Sequence, residues 1–116
     1  SIIAFQNATL YLGDDFKKMA ENNAGYKELA KQENQVVMLY KERTQVFIGD
    51  INIFNYYSKI TKMVDTSVPV TIHQIFPKTN YKIAFQDKMV CEKFNQGLKK
   101  LRESGRYDEI IKKYVD

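Results

Sequence analysis

The 116 residues include 18 basic and 14 acidic side chains, a net charge of +4, within a composition that is 44% apolar and 28% charged. A chain of this length can close one compact domain around a real core, and no apolar run approaches the roughly 20 residues that a membrane-spanning helix requires. A single cysteine, Cys91, and a single histidine, His73, exclude an intrachain disulfide and leave no ligand cluster for a metal site.

Much of the positive excess lies at the end of the chain, where eight basic residues face five acidic ones from Lys88 onward. The signs are interspersed, which reads as a solvated helix face and not as a phosphate-binding block. The eight Tyr and seven Phe recur largely at core spacing, without an RNA-stacking or zinc-finger pattern, so no nucleic-acid partner is expected.

The first element is a short apolar run, Ile2 to Phe5, suited to a buried strand. A polar turn follows at Gln6-Asn7-Ala8-Thr9. Leu12, Phe16, Met19 and Ala20 then share one helical face, ended by Asn22-Asn23-Ala24-Gly25. The stretch from Tyr26 to Arg43 is open to two readings: Val36 to Tyr40 suits a strand by propensity, and equally a helix by the spacing of Val36, Leu39, Tyr40 and Arg43. Thr44 to Ile48 reads as a strand broken by Gly49-Asp50, with Asp50 placed to cap a helix from Ile51 to about Lys62. After a loop from Asp65 to Pro69, the alternation in Val70 to Phe76 and Tyr81 to Phe85 predicts two more strands.

The clearest signals come last. Val90, Phe94, Leu98 and Leu101 form a helical stripe, Ser104-Gly105 stops that helix, and Tyr107, Ile110, Ile111 and Tyr114 give a second amphipathic one. Strands alternating with helices imply an α/β fold with a mainly parallel sheet. No Ser/His/Asp set, useful acidic pair or phosphate loop is present, so the chain is not expected to be an enzyme or to carry a cofactor.

Three segments of this C-terminal region, Tyr81 to Phe85, Phe94 to Leu98 and Leu101 to Ile110, followed by Lys112-Lys113-Tyr114, resemble the closing segment of the family 3 extracellular solute-binding proteins. Ile3 to Thr9 is similar to the strand and turn that open that family's second lobe, and Arg43 to Asp50 to its third strand. Ala8 stands where the family pattern has Gly, and Gln45 where it commonly has Asp. The resemblance implies a lobe of the type II periplasmic binding fold, with about five mainly parallel strands flanked by helices. It makes Tyr26 to Ala30 the second strand, Gln32 to Glu42 the next helix, residues 1–86 the second solute-binding lobe, and residues 87–116 helices that belong with a first lobe outside this sequence.

The same resemblance implies a function: a small polar solute such as an amino acid held between two lobes, periplasmic or extracellular, and delivered to the membrane permease of an ABC-type transporter. By resemblance, the hydroxyl and N–H of Thr9 hold the solute's carboxylate and Asp50 pairs with its ammonium, with Gln6 and Asn7 as further contacts. Each residue also has a plainer reading: Asp50 as a helix cap, Thr9 as a turn hydroxyl, Gln6 and Asn7 as a solvated turn, and Tyr56 and Tyr57 as packing. Two other function classes stand beside transport, an extracellular sensory input domain of the same fold and a basic interaction module. The unpartnered stripes of the last two helices lead us to expect a dimer formed through them.

Overall fold

Ile2–Phe5 forms β1, the centre of a three-stranded sheet in the order β2-β1-β3, with β2 at Tyr26–Leu29 and β3 at Val46–Ile48. Both neighbours run parallel to β1, with Ile2 opposite Tyr26 on one side and Val46 on the other. Parallel neighbours need crossover connections, which the helices supply. These are α1 (Ala8–Tyr11) and α2 (Asp14–Glu21) between β1 and β2, and α3 (Gln32–Tyr40) between β2 and β3. A fourth helix, α4 (Ile51–Ile60), leaves the end of β3. Tyr26 to Leu29 is therefore strand and Val36 to Tyr40 helix, which resolves the ambiguity of that stretch.

The computed structural model describes residues 1–116 and separates into two compact units, Ser1–His73 and Gln74–Asp116. The chain is α/β, with one parallel sheet and six helices in all. No helix is long and apolar enough to cross a membrane.

The first unit owns the core: Ile3, Ala4, Ala8, Phe16, Ala20, Val36, Val37 and Phe54 are buried. Phe16 meets the edge of the Tyr26 ring at 5.7 Å, and Phe54 packs between Tyr40 at 6.0 Å and Phe47 at 5.5 Å. One polar side chain is fully buried among them. Gln35 on α3 donates its Nε2 hydrogens to the carbonyls of Ala4 (2.8 Å) and Leu29, tying the carboxyl ends of β1 and β2 together.

The second unit holds α5 (Lys88–Glu103) and α6 (Arg106–Tyr114). Asp87 caps α5 by accepting the N–H groups of Met89 (2.7 Å) and Val90 (3.3 Å). Gly105 makes the corner at φ 79°, a left-handed value that suits glycine. Across that corner the Arg102 guanidinium lies 5.0 Å from the centre of the Tyr107 ring. Neither helix buries a single residue.

The sheet departs from the five strands expected. Residues 61–87 contain neither helix nor strand, so the expected strands at Val70–Phe76 and Lys82–Phe85 are absent. Most of their apolar residues are exposed, Ile75 at 75%, while Val70, Phe76 and Phe85 are half-buried. Alternating apolar residues give only a preference; a strand forms when a neighbouring strand takes its backbone groups and a second layer covers its face. The polar turn at Gln6 to Thr9 also differs. It contracts to Gln6-Asn7, and the helix expected around Phe16 is divided into α1 and α2 at Gly13, where φ is 91°.

Candidate functional site

In a parallel sheet every carboxyl end lies on one edge, where α/β sheets present ligand sites. Gln6, Asn7 and Thr9 follow the end of β1, and Asp50 follows the end of β3, its hydrogen-bonded neighbour. Gln6 and Asn7 thus lie in the turn after β1, Thr9 in the first turn of α1, and Asp50 just beyond the adjacent strand.

Asp50 acts locally. Its Oδ1 accepts the N–H groups of Asn52 (2.7 Å) and Ile53 (3.2 Å), so it caps α4 as its position after the strand implied. Gln6 is exposed in the turn. Asn7 adopts a left-handed backbone, φ 67° and ψ 20°, which asparagine tolerates better than most residues. That conformation aims the N–H groups of Asn7 and Thr9 at a common point.

A carboxylate occupies that point, and it belongs to the chain itself. Glu28 on β2 accepts from the Asn7 N–H at 2.7 Å through Oε2 and from the Thr9 N–H at 3.1 Å through Oε1. The Tyr26 hydroxyl donates to the same Oε1 at 2.9 Å, and the Thr9 hydroxyl also bonds to the carboxylate. Burial works to raise the Glu28 carboxyl, but its bonds from Thr9, Tyr26 and Asn7 outweigh it and hold the group below the usual glutamate range. The Tyr26 phenol moves the opposite way, pushed well up by burial, by donating to Glu28 and by the charge beside it.

Glu28 was missed in the sequence, although a signal existed. Tyr26 and Glu28 are two residues apart on one strand and so point to the same face. An ionised side chain inside a strand of a small parallel sheet needs partners to be tolerated there. No group of three or more His, Cys, Asp or Glu residues is arranged to hold a metal. Comparison with protein-family models, with curated proteins and with solved structures gave no match to this chain.

Proposed function

We propose that residues 1–86 are one lobe of a two-lobed extracellular solute-binding protein. The lobe presents a small polar solute, captured against a second lobe, to a membrane permease. In this reading the chain is not an enzyme, and its fold is the type II binding lobe. A parallel sheet that carries Asp50 and the turn of Asn7 and Thr9 on the same carboxyl-end edge, on adjacent strands, carries the reading. Asp50 is the group on that edge suited to an ammonium, through a charge-assisted bond.

One lobe is one wall of a cleft, whereas small ligands are held with most of their surface covered. Weak binding is therefore expected of this chain alone. Amide spectra recorded during titration with a panel of amino acids and small amines test the idea. Saturable shifts confined to this edge, at residues 50–53 with or without residues 6–9, in the millimolar range, support it. An entire panel that leaves those signals unmoved removes it.

A further inference from the structure

The resemblance assigns the Thr9 hydroxyl and N–H to a solute's carboxylate, and the structure gives both to Glu28. We propose that Glu28 is a built-in occupant of the turn after β1: its carboxylate holds the donors a solute carboxylate would need, so the lobe admits only solutes that bring no carboxylate to Thr9. The exclusion of amino-acid carboxylates deepens the solute-binding reading and rests on it. The occupancy by Glu28 does not.

Four observations carry the occupancy. Both carboxylate oxygens are engaged, Oε2 by Asn7 and Oε1 by Thr9 and Tyr26. The partners come from three places, the backbone of the turn, the Thr9 hydroxyl and the neighbouring strand position of Tyr26. The aim of the donors is set by the left-handed backbone of Asn7; α1, only four residues long, is too short to supply a helix dipole. Glu28 is also fixed where it stands: its residue pairs with Ala4 in the sheet, and the Gln35 side chain bonds the carbonyls of Ala4 itself and of Leu29, the residue after Glu28. A competing carboxylate would have to displace an anchored group that already has four donors, and it would meet a like charge.

The consequence for specificity is chemical. With Glu28 ionised at the end of β2 and Asp50 at the end of β3, this edge presents carboxylates where an amino acid needs a cationic or donor-rich partner. A small amine or a polyhydroxyl solute fits the edge, and a zwitterion does not.

The test uses the isotope-labelled full chain and acetate as the probe. In the unaltered protein, acetate to tens of millimolar should leave the Asn7 and Thr9 amide signals without a saturable shift. In Glu28→Ala the same signals should shift saturably with acetate, and not with ethylammonium chloride at equal ionic strength. Saturation by acetate with Glu28 in place overturns the proposal, as does a folded Glu28→Ala chain that does not respond. A second readout needs no variant. On acidification the Glu28 carboxyl carbon should titrate below the ordinary glutamate range, with the Asn7 and Thr9 amides moving at the same midpoint; an ordinary midpoint with unmoved amides also overturns it. If these results hold while no amine or polyol moves Asp50, Asn52 or Ile53, Glu28 remains the occupant and the solute-binding reading is what fails.

Discussion

The two units start their main helices in the same way and differ in how they bury them. Asp50 opens α4 and Asp87 opens α5, each with one carboxylate oxygen accepting the N–H groups two and three residues on, at 2.7 and 3.2 Å in one case and 2.7 and 3.3 Å in the other. The helix behind Asp50 buries Phe54 against Tyr40 and Phe47; the helix behind Asp87 buries nothing. Capping decides where a helix starts, but most helical stability in a protein comes from packing an apolar face. In the first unit a sheet provides the second layer. In the second, a 16-residue helix and a nine-residue helix carry apolar stripes without one.

The largest effect that would sharpen this contrast is association. Val90 and Tyr114 are each 49% exposed, and Phe94 and Ile110 are exposed beside them. Covering one such side chain contributes about 1.5–3 kcal/mol. We therefore expect the chain to pair with a second copy through α5 and α6, giving a dimer or larger species in sedimentation at micromolar concentration. The hydrogen-exchange protection of α5 and α6 should rise with protein concentration, while that of β1 and α3 stays constant. A clean monomer whose α5 and α6 are protected at every concentration breaks the comparison.

Within the first unit, Phe54→Ala should cost about 3–5 kcal/mol, the range for emptying a packed aromatic site. Its ring is 6% exposed and touches two other aromatics. Phe94→Ala, at a position 38% exposed, should change the stability of the chain by well under half as much in dilute solution. Urea unfolding followed by circular dichroism separates the two. Equal losses would mean that Phe94 is as well covered as Phe54.

How far these features could be read in advance depended on the range of the interactions behind them. The cap at Asp50 and the stop at Gly105 act over two or three residues and were plain in the sequence. The strand Ile2–Phe5 was plain too, because an apolar run this short between turn residues has few other uses. Between Tyr26 and Tyr40 the local signals conflicted. Val36 and Val37 favour a strand by propensity, and they lie in a helix because the helix buries them both. The pattern in Val70 to Phe76 misled for the reverse reason, since its alternation is local and the partner a strand requires is not. Of the candidate site, Gln6, Asn7, Thr9 and Asp50 were named through the family resemblance, and the residues alone gave only Asp50 as a helix cap and the other three as a turn. Glu28 was legible only as a strand carboxylate in need of partners; which partners was not, because its two backbone donors lie 21 and 19 residues away and converge only once β1 and β2 pair in register.

The paired caps give a smaller and more controlled comparison. Loss of an aspartate cap typically costs about 0.5–2 kcal/mol. Asp50→Ala should show its full cost as a lower urea midpoint for the first unit, because α4 is packed there through Phe54. Asp87→Ala should leave that midpoint unchanged and only reduce exchange protection in the first turn of α5, at Met89 and Val90. If Asp87→Ala lowers the midpoint as much as Asp50→Ala, the two units unfold together and the contrast between them is one of burial alone.

The smallest effect tests the second unit by strengthening it. Gly97 lies inside α5, and a methyl group added there meets no atom within 4 Å. Glycine in a helix interior costs roughly 0.5–1 kcal/mol relative to alanine, because it has more backbone freedom to lose on folding. Gly97→Ala should therefore raise the helicity of the second unit and leave the urea midpoint of the first unchanged. The substitution carries a second reading, because Gly97 follows Phe94 by three residues and borders the stripe of Val90, Phe94, Leu98 and Leu101. If a second copy approaches closely at Gly97, the added methyl opposes association even as it favours the helix. Helicity and sedimentation measured on the same samples distinguish the cases. Higher helicity with unchanged association means that the copies meet along the Phe94 and Leu98 side chains; higher helicity with weakened association places the closest approach at Gly97. Unchanged helicity would mean that α5 is already held by contacts stronger than its own propensity, and the second unit would then be no less anchored than the first.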